Sequence, residues 1–349
     1  MLAGIEQATP RRGRRTLAAG LLAVVVGSVA ADTAVAPESA PVWAAQDSTV
    51  PTGTVAASVG TDPGTATSGP LREERLTAPD RVVVRDDLGV VATFTVGSRS
   101  VALRGPQRVF AESTTTATVT TTTWVRLLTQ PFTGAVDHGW LSGRLTDRSD
   151  DVLELARQYV TGAGERYDAS GRRIAGDASY GPLQADGTRE EGSDFNDYLG
   201  VPWTYGSRVD PPEPGQFAAM DCSGYVRTVY GYRAGVPLSL QPDGVTLPRR
   251  AVQMAESAPG AVIVPDTGRR PAGTSTLLPG DLLFFDASTD DGTLVDHVGI
   301  YLGLDSQGAA RFLSSRKSAD GPTMGDVRGR STLSGTGLYA TSFRSVRRL

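Results

Sequence analysis

The chain contains a single cysteine, Cys222, within the segment Met-Asp-Cys-Ser-Gly-Tyr-Val at residues 220–226. A lone cysteine cannot form a disulfide within the chain, so it is either a small buried side chain or a reactive group. The residues that follow it predict the first turns of a helix. A thiol at a helix N-terminus lies among unpaired backbone N–H groups, which favour the thiolate and lower the thiol pKa. This context favours a nucleophile, with a buried structural cysteine as the alternative.

A cysteine nucleophile needs a base that takes its proton, and the chain has two histidines, His138 and His297. His297 begins the segment His-Val-Gly-Ile-Tyr-Leu-Gly, whose alternation predicts a strand with one face in the core and His297 on the opposite face. The preceding segment, residues 277–285, predicts a turn and a second strand that pairs with it. No second ligand or thiol lies near His138 in the sequence, which favours a surface or capping role there. His297 is therefore the predicted base for Cys222.

Four segments resemble, in their order, motifs of the NlpC-type family of cell-wall cysteine peptidases. They are Gly-Val-Pro-Trp-Thr-Tyr-Gly at 200–206, Asp-Cys-Ser-Gly-Tyr at 221–225, Leu-Pro-Gly-Asp-Leu-Leu-Phe-Phe at 278–285 and His-Val-Gly-Ile-Tyr-Leu-Gly at 297–303. The resemblance covers about residues 149–349. It implies a papain-like α+β fold, in which a helix carrying the thiol packs on an antiparallel sheet carrying the histidine. It also implies hydrolysis of peptidoglycan stem peptides, typically between γ-D-glutamate and the diamino acid.

By this resemblance Cys222 is the nucleophile and His297 the base, and Ser314 is the closest match to the polar residue that orients the histidine. A hydroxyl is a weaker orienting group than a carbonyl or a second imidazole. The substrate cleft is expected to involve Asp221 and Ser223 beside the thiol, Trp203 at the position of the family's site tyrosine, and Tyr205 two residues later. Arg316 is expected in a polar loop, where it either binds a substrate carboxylate or is simply solvated, and the solvated loop is the favoured interpretation.

The N-terminal residues predict export and a division into segments. Four arginines precede an apolar run of about 15 residues, which is typical of a secretory signal and too short for a spanning helix. An uncleaved membrane anchor is the alternative. We expect a signal and early mature segment at 1–45, a disordered Thr/Ser/Gly/Pro-rich linker at 46–78, a small all-β accessory domain at 79–145 and the peptidase domain at 146–349.

Within these domains the pattern predicts particular elements. Residues 82–84, 90–96 and 99–103 alternate as a β-meander, and the Thr-rich run at 114–123 continues it as a strand. The further expectations are a helix at about 150–160 capped by Ser149, a polar aperiodic loop at 162–192, a short helix at 193–199, an insertion at 242–275 and a final strand at 338–344.

Composition excludes some functions and leaves others open. The 34 basic and 38 acidic residues give a net charge of −4, which argues against a nucleic-acid binder. No motif demands a metal or an organic cofactor. The predicted protein is a secreted or wall-associated hydrolase with no stable membrane span after signal cleavage. The alternatives are a cell-wall-binding or scaffold protein that has lost turnover on the same fold, and an amide or acyl transferase that uses the same Cys-His pair.

Overall fold

The structure is a computed structural model, and it describes residues 67–288 and 292–349. The predicted signal at 1–45 and most of the predicted linker, residues 46–66, lie outside the described residues. In the part that is described, helices combine with two larger antiparallel sheets and two short hairpins. No helix in residues 67–288 and 292–349 is long and apolar enough to cross a membrane.

The first sheet is a five-stranded antiparallel meander in sequence order, as the alternating pattern predicts. Its strands are β1 (Arg72–Leu76), β2 (Arg81–Asp86), β3 (Gly89–Thr95), β4 (Ser100–Phe110) and β5 (Val119–Leu127). Inward residues such as Val84, Phe94 and Val101 form a core with Leu141 and Leu145 of helix α1 (His138–Thr146). The second half of the Thr-rich run, residues 119–123, begins strand β5 as predicted, whereas residues 114–118 precede the strand and the prediction is wrong for them.

Strand β1 lies inside the range that the sequence assigns to the linker, so the linker prediction is wrong for residues 72–76. This strand has no apolar period, since its sequence is Arg-Glu-Glu-Arg-Leu and four of its residues are exposed. Backbone pairing with β2 holds it at the sheet edge. Ion pairs such as that of Arg85 with Glu74, at 3.0 Å, add to this pairing. Main-chain pairing of this kind leaves no apolar signal in a sequence.

The second sheet has six antiparallel strands in the order β10-β15-β11-β12-β13-β14. Its strands are β10 (Ala261–Val264), β11 (Leu282–Phe285), β12 (His297–Leu304), β13 (Ala310–Arg316), β14 (Gly321–Thr323) and β15 (Phe343–Arg348). Before it come the hairpins β6 (Arg166–Tyr167) with β7 (Arg173–Ala175) and β8 (Trp203–Tyr205) with β9 (Arg208–Asp210). The predicted pairing of β11 with β12 is confirmed.

The helices between residues 152 and 342 are short. They are α2 (Val152–Arg157), α3 (Phe195–Leu199), α4 (Cys222–Val226), α5 (Ala251–Ser257) and α6 (Leu338–Ser342), and α4 continues as a π-helix over Arg227–Arg233. The predicted helix after residue 193 is confirmed as α3, with a capping box between Asp194 and Asp197. The predicted insertion at 242–275 holds α5 and β10.

Two local predictions are wrong. Helix α2 is capped by Asp151 instead of Ser149, because the Asp151 carboxylate accepts from the Glu154 N–H at 2.9 Å while Ser149 bonds to Asp147. Residues 338–342, predicted as the start of the last strand, form helix α6, and the strand begins at Phe343. Glycines before this helix obscure its start in the sequence.

Direct contacts join the first sheet to the second. The Ser100 N–H donates to the Leu349 carbonyl at 2.5 Å, and Arg348 donates to the Thr95 hydroxyl at 2.7 Å. Arg108 of β4 makes two bonds to the Asp151 carboxylate, at 2.7 and 2.6 Å. All described residues fall in one compact unit. The boundary between an accessory and a catalytic domain stays a prediction.

Candidate active site

The cysteine helix is fixed at its start by an aspartate. Asp221 is the N-cap of α4, and its carboxylate accepts from the Gly224 N–H at 2.7 Å and from the Ser223 hydroxyl at 3.0 Å. Position 224 has room only for glycine, because a Cβ there would lie 2.3 Å from the Ser193 carbonyl oxygen. The Asp-Cys-Ser-Gly segment therefore caps the helix and lets it pack closely on the residues before α3.

The Cys222 thiol lies against the backbone on both sides of His297. Its Sγ is 3.7 Å from the Asp296 carbonyl oxygen, and the Val298 N–H hydrogen-bonds the sulfur. Only 6% of Cys222 is exposed. Burial, and secondarily the negative charge of Asp221, raise the pKa of the thiol well above its ordinary value. The predicted lowering of this pKa is wrong for the resting site, because the thiol is buried and because the Asp221 carboxylate lies beside it at the helix N-terminus.

His297 is the first residue of β12 and is also buried, at 8% exposure. Its Nε2 lies 3.0 Å from the Ser314 Oγ on the neighbouring strand β13. The imidazole packs beside Phe285 and Tyr339, with ring centroids 5.8 and 5.1 Å away. Burial, and then the positive charge of Arg316, lower the pKa of His297 to about 3. The imidazole is therefore neutral in this structure.

The expectation that only one face of this strand is buried is wrong. Val298, Ile300 and Leu302 enter the main core as predicted, but Tyr301 belongs to a second apolar cluster on the other face. Tyr339 of α6 belongs to that second cluster. The C-terminal residues therefore cover the face of the sheet that carries His297.

Arg316 occupies a different environment from the one predicted. It ends strand β13 and is fully buried, whereas the sequence places it in a polar loop. Its guanidinium donates to the carbonyls of Gly329 at 2.6 Å and Gly325 at 3.2 Å, and lies 5.4 Å from the Tyr339 ring centroid. In this position its charge acts on His297.

Trp203 and Tyr205 lie together on strand β8. The Trp203 ring packs edge-on against Phe195 at 5.0 Å and against Tyr232 at 6.0 Å. The Tyr205 hydroxyl accepts from Arg227, which also binds Asp194 at 3.0 Å. These contacts anchor the hairpin to the elements around the cysteine helix. A role for either residue in the substrate cleft stays a prediction.

Sequence reasoning missed Arg249, which lies in the predicted insertion. Its guanidinium bonds to the Asp221 carboxylate at 2.8 Å, to the Ser223 hydroxyl at 2.7 Å and to the Gly192 carbonyl at 2.6 Å. A further ion pair joins it to Asp194 at 3.4 Å. Arg249 thereby ties the cap of the cysteine helix to the end of the loop before α3. Nothing in its local sequence pattern indicates this pairing.

A second missed residue is Tyr180, in the loop that was predicted to be aperiodic. The Ser179 carbonyl accepts from the Met220 N–H at 2.9 Å, which brings this loop alongside the residues before the thiol. Tyr180 is 5% exposed. Burial raises the pKa of Tyr180, and its electrostatic interactions with Cys222 and Asp221 raise it further. Tyr180 therefore belongs to the surroundings of the thiol.

The family model of the NlpC/P60 family matches residues 200–330, the part of the chain that carries these groups. The predicted resemblance is confirmed for this segment, which is similar to a family whose members are generally cell-wall peptidases. No curated protein matches the chain significantly.

Three solved structures are similar to this chain at low identity. A lipoprotein-like NLP/P60 protein from Staphylococcus aureus is 19% identical, with 63% of this chain and 51% of that chain covered and a TM-score of 0.26. This chain thus spans about half the length of that protein. NlpC1 from Trichomonas vaginalis is 12% identical, with coverage of 82% and 90% and a TM-score of 0.29. An NlpC/P60 protein from Bacillus cereus is 13% identical, with coverage of 80% and 78% and a TM-score of 0.29.

Proposed function

We propose that this protein is a cysteine peptidase that cleaves an amide bond in peptidoglycan stem peptides, between γ-D-glutamate and the diamino acid. The observation that carries the proposal is the position of the thiol. Cys222 bonds to the backbone of the residues on either side of His297, and His297 bonds to Ser314. The contacts of Cys222 therefore flank His297 in the chain, and His297 contacts Ser314, which supports roles as nucleophile, base and orienting group.

The ring nitrogens of His297 would have separate tasks. Because Nε2 faces Ser314, Nδ1 is the nitrogen that exchanges a proton with Cys222. His297 removes the thiol proton, and the sulfur attacks the amide carbonyl carbon. The backbone N–H of Cys222 stabilises the oxyanion. His297 then protonates the leaving amine, and water, deprotonated by His297, hydrolyses the thioester and regenerates the thiol.

The pKa directions bear on the timing of this proton transfer. A raised thiol pKa and a lowered imidazole pKa keep both groups neutral before substrate binds. The ion pair would therefore form as the substrate enters and the thiolate attacks, when charge moves onto the oxyanion. General-base catalysis of this kind needs no stored thiolate.

The wider context follows from the same proposal. The α4 helix packed on the β11-β12-β13 strands would form a papain-like catalytic domain, and the five-stranded sheet would be its accessory domain. The basic and apolar N-terminal sequence supports export to the wall, where the substrate is found. Asp221 and Ser223 would fix the thiol helix, and Trp203 and Tyr205 would shape the cleft around it, while the buried Arg316 would act on His297 through its charge.

One observation favours the rival function, a wall-binding protein without turnover. Both Cys222 and His297 are buried, and the cover includes Tyr180 and Tyr339. A site that remained closed to substrate would keep the fold and the neutral thiol but would not hydrolyse. The two functions differ in a measurable product.

The test is hydrolysis of purified muropeptides, with products identified by mass spectrometry. The wild-type chain is expected to release a fragment with a new diamino-acid amine, and Cys222→Ala and His297→Ala are expected to release none. Ser318→Ala, an exposed substitution on the turn after β13, is the matched control and should retain activity. Equal product from wild type and Cys222→Ala would reject the proposal, and muropeptide binding without product would favour the rival.

A further inference from the structure

A groove lies between the five-stranded sheet and the segment that leads into β11. It has a volume of about 270 Å³ and lies apart from the groups assigned to catalysis. Leu76, Pro79 and Val83 of the sheet form an apolar side, and Leu278 of the Leu-Pro-Gly-Asp segment closes it. Thr93 and Thr276 add hydroxyl groups. This volume suits a ligand of the size of an amino acid or a monosaccharide.

Three arginines, Arg81, Arg85 and Arg348, line the groove, and Arg85 is paired with Glu74 at 3.0 Å. Arg348 uses its donors internally: Nε and Nη2 bind the buried Asp281 carboxylate at 2.7 and 2.8 Å, and Nη1 binds the Thr95 hydroxyl at 2.7 Å. Its charge is thus balanced by Asp281.

Arg81 is different, because no carboxylate lies within 4.0 Å of its guanidinium among residues 67–288 and 292–349. Its Nη1 donates to the carbonyls of Thr77 at 3.2 Å and Pro79 at 2.9 Å, which holds the side chain in place. Burial and then the positive charge of Arg348 lower the pKa of Arg81, and the charge of Glu74, which is paired with Arg85, opposes this only in part. An added anion would relieve both effects. The groove therefore has one positive charge more than its acidic groups balance.

We propose that this groove binds a small molecule that carries one carboxylate, with Arg81 as the group that binds it. A planar guanidinium held by two carbonyls presents its remaining N–H groups in a fixed direction, which suits the two oxygens of a carboxylate. One unbalanced charge matches a monoanion. The apolar side contacts the body of the ligand, and Thr93 and Thr276 bind its hydroxyl or amide groups.

Such a carboxylate has two sources in a cell wall: the lactyl group of a sugar acid and the C-terminus of a short peptide. Calorimetry with the Cys222→Ala chain separates them, using N-acetylmuramic acid and D-alanyl-D-alanine as probes. Each has a neutral counterpart, N-acetylglucosamine and the dipeptide amide. We expect one acid to bind at least about tenfold more tightly than its neutral counterpart, and the acid that binds identifies the source.

Arg81→Gln is expected to weaken this binding by about tenfold or more, because a charge-assisted hydrogen bond is lost. Arg72→Gln is the matched control, since Arg72 is an exposed arginine of the same sheet that pairs with Asp87, and it should stay within about twofold of the parent. The proposal is overturned if neither acid binds, if acids and neutral counterparts bind equally, or if Arg81→Gln binds as tightly as its parent.

Two features keep this test decisive. If Arg81→Gln fails to fold, the comparison of each acid with its neutral counterpart on the parent chain still decides the result. Because binding is measured without the Cys222 thiol, the result does not depend on hydrolysis. An absence of peptidase activity and an absence of carboxylate binding in the groove can therefore be told apart.

Discussion

The Nε2 atom of His297 lies 3.0 Å from the Oγ atom of Ser314, and both residues are buried on neighbouring strands. When the hydroxyl accepts from Nε2–H, the ring proton stays on Nε2 and Nδ1 is left to accept the thiol proton. A serine hydroxyl can also rotate and donate. Its control over the tautomer is therefore weaker than that of a carbonyl.

Removal of this hydroxyl should lower turnover without preventing substrate binding. We expect Ser314→Ala to reduce kcat by about fivefold with little change in KM, since one neutral hydrogen bond is worth about 1 kcal/mol. Ser314→Asn, whose amide oxygen accepts, should recover part of the loss if it fits. Steady-state hydrolysis of a muropeptide measures both constants. An unchanged kcat in a folded Ser314→Ala chain would show that Ser314 does not orient the histidine.

The raised pKa of Cys222 predicts slow alkylation of the native protein. Burial and the Asp221 charge disfavour the thiolate, so iodoacetamide should react about tenfold or more slowly with the native chain than with the urea-unfolded chain at pH 8. The native rate should still rise above pH 9. Because the chain has one cysteine, total label reports Cys222 directly. A rate plateau below pH 8 that His297→Ala abolishes would instead establish a resting thiolate–imidazolium pair.

The sequence predicted the parts of this site that depend on local pattern. Alternation placed His297 at the start of a strand paired with β11, and the small residues after Cys222 indicated a helix start. Both signals have a short period and need only neighbouring residues. The orienting residue Ser314 came from the resemblance to the NlpC-type family and not from local pattern, and it lies 3.0 Å from His297 on the next strand.

The sequence could not predict what distant residues do to this site. Arg249 reaches Asp221 from 28 residues away, and Tyr339 covers His297 from α6. Such contacts depend on how elements pack and leave no local period. They also decide the electrostatics: burial reversed the expected pKa shift of Cys222, although the helix start was correctly placed.

The lowered pKa of His297 means that its contribution to stability is lost in mild acid. The folded chain keeps this imidazole neutral to about pH 3, whereas the unfolded chain takes up a proton near the ordinary value of 6.5. The contribution is complete above pH 6.5 and is lost as pH falls toward 3, by at most about 1.4 kcal/mol for each pH unit.

We therefore expect His297→Gln to lose less free energy of unfolding than wild type between about pH 6 and pH 4, as measured by urea titration. His138→Gln is the control, because it removes the other histidine, which is exposed and lies beside Glu73. Parallel pH profiles for wild type and His297→Gln would show that the His297 imidazole does not have a lowered pKa in the native protein.

Arg249 should be necessary for the placement of the thiol. Its bonds to Asp221, Ser223 and Gly192 join the helix cap to the loop before α3. Arg249→Gln leaves the largely buried Asp221 carboxylate without its cation, and loss of one partner of a buried ion pair costs about 3 kcal/mol. We expect a lower urea midpoint and a lower kcat. The pKa of Asp221 would also rise, because burial would no longer be opposed by the charge of Arg249.

The neighbouring Arg250 provides the control, because its side chain is exposed and Arg250→Gln makes the same substitution one residue away. That variant should match wild type in both urea midpoint and kcat. Arg249→Lys keeps the charge but not the planar guanidinium that reaches three groups, so it should recover part of the stability and less of the activity. If Arg249→Gln and Arg250→Gln behave alike, the ion pair with Asp221 does not position Cys222.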